Sequence, residues 1–510
     1  MDHRVGTSKL SSDDANKAAL ATMVIMRQTK IRQLLLGASF SLSVASAPRA
    51  AGAQAPRTGR PALAPYARQF VTVDTTIVAL THVRVIDGTG APAREDQTVV
   101  IRDGRIASVG PASSTPTPAE AQTIDLSGKS VIPGLVMVHE HLHYPTGPGI
   151  YGNLIESFTR LYLAGGVTSM RTAGNVNGYG ELAIKRAIDR GDKPGPWIDA
   201  TAPYLEGAGL NLGQVHELTG PEDARRLVAF WNDAGATSLK AYMHITRDEL
   251  RAALDEGHKR GMKLTGHLCS VTYREAAGLG IDNLEHGFFA ATDFVADKKP
   301  DVCPGQGAGQ ASVAAVDPKS EAVTSLIKEL IQRHVAVTST LTVFELSVPG
   351  RPLPPGLDML EPALREQFER RFSAPRNGTP VSATLFPKAR QLEVDFFRAG
   401  GMLLAGTDPT GGGGVIPGFS DQRAIELLVE SGLTPLEAIK VGTLNGATYL
   451  GRADRVGSIA VGKQADLVVV DGNPVAQIGD IRKVTLVFKE GVGYDSAKLI
   501  ASVKGKVGLY

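Results

Sequence analysis

The sequence predicts an α/β fold: a (β/α)8 barrel joined to a small β-sandwich domain built from both ends of the chain. Three observations carry that expectation. Eight short apolar runs between residues 131 and 408 alternate with helical patterns, as parallel strands joined by crossover helices do. Alternating strand-like runs separated by Asp-Gly turns fill residues 76–109, and similar runs return at 457–488. Neither terminal set has enough strands for a sandwich alone, so the two sets are expected to pair.

Taken in chain order, residues 1–25 read as an upstream extension from a misassigned start codon. Residues 26–53 read as a secretory signal peptide: a basic stretch Met26–Arg32, an apolar run Leu34–Val44, and small residues Ala51-Gly52-Ala53 for cleavage near Ala53. That tripartite pattern predicts a secreted or periplasmic protein with no membrane span in its mature form. The Pro/Ala/Arg-rich stretch over 54–75 is expected to be a linker, and 76–130 the first part of the β-sandwich.

The barrel is expected over 131–450. Its strands are Val131–His141, Thr168–Arg171, Trp197–Ala202, Thr237–Met243, Lys263–His267, Asp282–His286, Val335–Leu341 and Met402–Asp408. Helical patterns between them include Pro221–Ala234, Arg247–Arg260, Glu321–His334 and Ser420–Ser431. Two connections, Gly287–Ser320 and Phe344–Ser382, are too long for simple loops. Both leave strand C-terminal ends, where barrel enzymes bind substrate, so they are candidate lids. Residues 451–510 complete the sandwich.

Composition is that of a soluble globular chain, with 43% hydrophobic and 21% charged residues. The formal charge is +2; beyond residue 53 it becomes −2, from 47 basic and 49 acidic residues. Such a balance predicts no nucleic-acid or membrane-surface partner and points to a small-molecule or peptide substrate. With only Cys269 and Cys303, a disulfide scaffold and a cysteine-based zinc site are both excluded. The two could pair across loops or remain separate thiols.

The chemistry is expected at the strand ends. His139 and His141 share one face of their strand, and two inward imidazoles at that spacing can chelate a metal. His267, His286 and Asp408 each close a strand-like run, where a barrel keeps its active site. A carboxylate in such an apolar strand end needs a compensating partner, and a metal ion would serve. Core histidines bonded to backbone, or an aspartate capping a helix, are the structural alternatives for each residue taken singly. Lys240 shares a face with Tyr242, and burial pushes a lysine toward the neutral amine. A neutral amine can take up carbon dioxide to give a carbamate, or the lysine could ion-pair with Asp408 or Glu285.

Several of these runs resemble the amidohydrolase superfamily. The first barrel strand is matched by Val131-Ile132-Pro133-Gly134-Leu135 ahead of His139 and His141, and further motifs by Gly165–Arg171, Leu284–Gly287 and Ala405–Asp408. Gly457–Val469 resembles the family's returning β domain. Lys240 with Tyr242 is similar to the secreted prolidase-like and ochratoxinase-like amidases, which use a carbamylated lysine. That resemblance implies two divalent ions, most readily Zn2+, with His139, His141 and Asp408 on one and His267 and His286 on the other. Lys240, as N6-carboxylysine, would bridge them. Asp408 would move the proton and Tyr242 would stabilise the oxyanion during cleavage of an amide or peptide bond.

His143, Arg171 and Tyr204 are expected substrate contacts, with Glu206 close by. The chain departs from the family after the second strand, where Arg171-Thr172-Ala173 lacks a common aspartate. It departs again after the eighth, at Gly411–Gly414 and Asp421–Ala424, which lack a common His and Glu. These positions bear on specificity. A lactonase or cyclic-amide hydrolase would use the same metals; a deaminase usually manages with one metal and no bridging lysine; a metal-free scaffold should have lost ligands. Relatives often assemble, so a homo-oligomer is compatible, though no interface is legible.

Overall fold

The computed structural model describes residues 62–509, except 148, 211 and 374–379. The expected extension, the signal peptide and the start of the expected linker lie outside the described residues.

Eight parallel strands form the centre: β1 (Leu135–Glu140), β2 (Val167–Thr172), β3 (Trp197–Asp199), β4 (Ser238–Ala241), β5 (Lys263–Gly266), β6 (Asn283–Glu285), β7 (Ala336–Ser339) and β8 (Leu403–Ala405). β1 to β3 pair as one hydrogen-bonded group and β4 to β8 as another. Parallel bridges Thr201↔Ser238 and Leu205↔Ala241 connect the two groups beyond β3. On the other side, the Thr407 and Asp408 amides donate to the His139 carbonyl at 3.1 and 3.2 Å, bringing β8 against β1. The arrangement is a TIM-barrel-like α/β fold.

Crossover helices follow the strands where the periodicity placed them. Pro221–Ala234 begins with Pro in its first turn and ends at Gly235, whose left-handed conformation closes the helix. Arg247–Lys259 and Tyr273–Leu279 both start from capping boxes, Thr246 with Glu249 and Thr272 with Glu275. Their apolar faces meet the strands in one continuous core that includes Leu239, Leu250, Leu264 and Leu284.

Three expectations are corrected. The run Val131–His141 holds two strands rather than one: Ser130–Pro133 joins the terminal sheet, and β1 starts after Gly134, whose amide donates to the Asp466 carbonyl. The terminal strands form one continuous nine-stranded sheet rather than two separate facing ones. The reason is that Ser130–Pro133 pairs antiparallel with Leu467–Val470, so the two halves join edge to edge. One core still receives side chains from both ends, among them Val78, Leu80, Ile101, Val469 and Phe488. Within the expected linker, Pro65–Arg68 is helical, and Val71–Val73 pairs with Val492–Asp495 as an edge strand. Buried Ala67, Phe70 and Val73 anchor that segment.

The two long connections carry helices of their own. Gln306–Ala315 lies in the first; Leu341–Glu345 and Pro362–Ser373 lie across the second, before the 19-residue helix Pro380–Arg398. A Cys269–Cys303 disulfide ties the loop after β5 to the connection after β6, which decides between the two open cysteine readings.

Candidate metal centre

His139 and His141 leave the C-terminal end of β1 on the same side, as strand parity requires, and both are buried. Asp408 reaches them from β8. Gly406 makes that approach possible: a Cβ there would sit 2.4 Å from His139 Cβ. His141 Nε2 lies 3.3 Å from Asp408 Oδ1, and His139 Nε2 lies 3.8 Å from the same atom. One ligand atom from each of His139, His141 and Asp408 falls within 4.8 Å of the others, a donor set able to hold an ion.

Hydrogen bonds orient the donors. His141 Nδ1 pairs with the Gly174 carbonyl at 2.9 Å, leaving Nε2 facing Asp408. His286 Nδ1 meets Thr340 Oγ1 at 2.9 Å. Thr410 Oγ1 donates to Asp408 Oδ1 at 2.6 Å. His139 Nδ1 is buried with no hydrogen-bond partner among the described residues. An orphaned ring nitrogen among carboxylates is what a metal site looks like without its ion, so these residues fit the group.

Two ligand candidates hold strained backbone. His286 has φ 68° and Asp408 φ 56°, in the left-handed region that non-glycine residues seldom occupy. This turn at the end of β6 brings both Glu285 and His286 to the site, although strict alternation would send them to opposite faces. A second donor set follows, of His139, Glu285 and His286. Glu285 is a site residue that the sequence offered only as a partner for Lys240.

Lys240, on β4, is buried, and its Nζ contacts Glu285 Oε2. The other carboxylate oxygen accepts from Arg171 Nη1 at 3.0 Å and Thr265 Oγ1 at 2.7 Å. Arg171 therefore does not line the substrate space. It has no exposed surface, and its remaining donors go to Ser238 Oγ, Thr265 Oγ1 and the Leu239 and Val138 carbonyls. Its role is to fix Glu285 from below.

Burial, then the Lys240 charge, holds His139 well below the ordinary imidazole range and His267 at about 3. Burial and the neighbouring His267 do the same for His286. All three are neutral, with lone pairs free for a cation. Lys240 is pushed well down by burial and then by Arg171. Burial raises the Asp408 carboxyl, but hydrogen bonds from His141 and Thr410 and the surrounding imidazoles outweigh it, and the group stays ionised.

His267 follows β5, its ring 4.3 Å from His286 and 5.0 Å from Tyr242. The Tyr204 ring lies tilted against Tyr242 at 4.7 Å and is 6.4 Å from His141. His143 is buried beside His141 at 4.5 Å, its Nδ1 without a hydrogen-bond partner among the described residues. Glu206 is turned away, accepting from the His244 ring and backbone amide. His82, His216 and His258 pair instead with Asp96, Asp223 and Asp282.

Comparison with known proteins agrees with the fold. The Amidohydrolase family model matches residues 395–494, which include β8 and Asp408. A structure from Bifidobacterium longum, described as a prolidase candidate, superposes with TM-score 0.62 at 26% identity, covering 84% of this chain and 98% of that one. The chain is similar to the amidohydrolases over residues 395–494 in sequence and over most of its length in fold. A. niger ochratoxinase shares the fold, with TM-score 0.61 at 19% identity over 83% of this chain and 96% of its own. Among curated relatives, imidazolonepropionase of Porphyromonas gingivalis is 39% identical over 17% of this chain and 22% of its own length. Adenine deaminase of Moorella thermoacetica is 25% identical over 83% of this chain and 61% of its own. These matches span less than two thirds of either curated relative.

Proposed function

We propose that the chain is a metal-dependent hydrolase that cleaves an amide or peptide bond with two divalent ions, most readily Zn2+. The observation that carries this reading is the convergence of neutral His139 and ionised Asp408 with His141 at the strand ends of a superfamily barrel. When bound, the ions supply an activated water and a polarised carbonyl. In this reading His139, His141 and Asp408 hold one ion, and His267 and His286 hold the other. Lys240, carboxylated at Nζ, would supply a further anionic ligand, and its depressed basicity supports that modification.

The chain's own groups then handle the proton and the charge. Asp408, held by Thr410, accepts the water proton on a carboxylate oxygen and returns it to the leaving amine. Burial raises the Tyr242 hydroxyl, which stays protonated and can donate to the oxyanion. His143 and Tyr204 flank this position and are the proposed substrate contacts. The Cys269–Cys303 disulfide supports an oxidising compartment and so the exported location. No helix of the described residues is long and apolar enough to cross a membrane.

A second reading of the ligands has its own observation. Because His139, Glu285 and His286 form a donor set, Glu285 could supply the anionic ligand while Lys240 remains its counter-ion. Elemental analysis of protein grown with zinc and bicarbonate, beside Lys240→Ala, tests the main proposal. About two ions per chain, falling sharply in the variant, support the bridged site; one ion indifferent to Lys240 moves the reading toward a mononuclear deaminase. Dipeptides, aryl amides, lactones and adenine then separate the substrate classes.

A further inference from the structure

Three cavities lie end to end over the site. A small one of about 80 Å³ touches His267 and shares Phe289, Phe344 and Gln310 with a neighbour of about 520 Å³. That neighbour shares Arg371 and Gly411–Gly413 with a third, of about 310 Å³. Neither of the two larger cavities is lined by a carboxylate among the described residues, and Arg371 is the one charged side chain common to both. The adjoining glycines begin three residues after Asp408.

Arg371 differs from the other arginines of its helix. Arg365 pairs with Glu369 and Arg370 with Glu366, both one turn away. Arg371 has neither a hydrogen bond nor an ion pair among the described residues. Its guanidinium lies directly on the Gly412 backbone, where a Cβ would sit 1.2 Å from Nη2. Any larger residue at 412 would displace it. Beside it, Phe289 and Phe344 stack with centroids 3.8 Å apart, and Phe344 meets the His286 ring edge-on at 5.7 Å. An apolar wall thus runs from a candidate ligand to a cation with no ion pair among the described residues.

We propose that Arg371 is the specificity residue of this pocket. It takes the carboxylate carried by the leaving amino acid of the cleaved amide, whose apolar side chain lies on the Phe289–Phe344 wall. The proposal rests on the hydrolase reading above and names its substrate class. A guanidinium offers a carboxylate two parallel hydrogen bonds, and a planar fork held over a glycine backbone is already oriented for them.

The test compares leucyl-phenylalanine with leucyl-phenylalaninol, which keeps the same scissile amide but replaces the carboxylate with CH2OH. With zinc-loaded wild type, kcat/KM for the acid should exceed that for the alcohol by about tenfold or more, carried by KM. Arg371→Met should collapse this ratio toward one, Arg371→Lys should restore part of it, and Gly412→Ala should lower it by moving the guanidinium. A ratio unchanged in Arg371→Met overturns the proposal. If wild type cleaves neither compound, the hydrolase reading fails for this class, and calorimetry with N-acetyl-L-phenylalanine decides the anion site separately. Binding about tenfold tighter to wild type than to Arg371→Met supports it; equal or absent binding overturns it.

Discussion

At the ends of β1, β4, β6 and β8, the chemistry sits on side chains that are almost wholly buried. His139 and Lys240 are 1% exposed, and Glu285 has no exposed surface. The mouth above is lined instead by the connections after β6, β7 and β8, where exposed Arg371 and the Gly411–Gly414 run meet aromatic side chains. The floor is fixed by backbone pairing and by a hydrogen-bond set that includes all the donors of Arg171. The contrast assigns reaction class to the floor and substrate choice to the mouth. Floor substitutions should change metal content or kcat, and mouth substitutions should change KM with the metals in place.

The largest effect is expected at Asp408. Asp408→Asn keeps the shape and an oxygen donor but loses the proton acceptor, so kcat should fall about 10²–10⁴-fold. Metal content by elemental analysis should stay near that of wild type. If the variant loses metal instead, Asp408 is chiefly a ligand and the proton is handled elsewhere. Next come Lys240→Ala and Glu285→Gln, which divide the two ligand readings. A carboxylated Lys240 gives wild type an intact mass heavier by one carbon dioxide that acid removes, and Lys240→Ala then loses metal more severely than Glu285→Gln. The reverse order, with no extra mass, would make Glu285 the ligand.

Much of the floor was legible because strand chemistry leaves a regular trace. His139 and His141 are two residues apart on one strand, and His267, His286 and Asp408 each end an apolar run. Lys240 shares the parity of Tyr242 for the same reason. Glu285 was not legible as a donor, because the positive φ of His286 breaks the alternation that a reader must assume. Arg171 was misplaced among substrate contacts because position after a strand does not reveal how many donors the interior will absorb. The single terminal sheet escaped notice since Gly134 divides one apolar run between two sheets. Arg371 gives no sign at all: its neighbours Gly411–Gly413 lie some 40 residues away in sequence, and nothing in a helix marks which arginine will face a cavity.

Acid should loosen the floor in the metal-free protein. His267 titrates at about 3 in the fold, against 6.5 for an ordinary imidazole, so between these values the unfolded chain binds the extra proton. Stability from this group is therefore full above pH 6.5 and lost as pH falls toward 3. Between pH 7 and pH 5 the loss should be about 2 kcal/mol, read from urea melts after chelation. His139 and His286, also depressed, act in the same direction. A flat profile would mean that the folded protein already carries charged imidazoles, and the floor would no longer be a set of free lone pairs.

The smallest expected effect belongs to the mouth, at Tyr144. Its hydroxyl accepts from the Gly414 amide at 2.7 Å, and a Cβ on Gly413 would lie 2.8 Å from the same oxygen. Tyr144 thus holds in place the glycine run against which Arg371 rests. Tyr144→Phe keeps the ring in the core beside Phe158 and removes only that acceptor, at a cost of about 1 kcal/mol, or about fivefold in an equilibrium constant. With leucyl-phenylalanine the change should fall on KM, leaving kcat and metal content near wild type. A drop in kcat of the same size would mean that the glycine loop also positions Asp408, five residues before Gly413. The boundary between floor and mouth would then run through β8 itself.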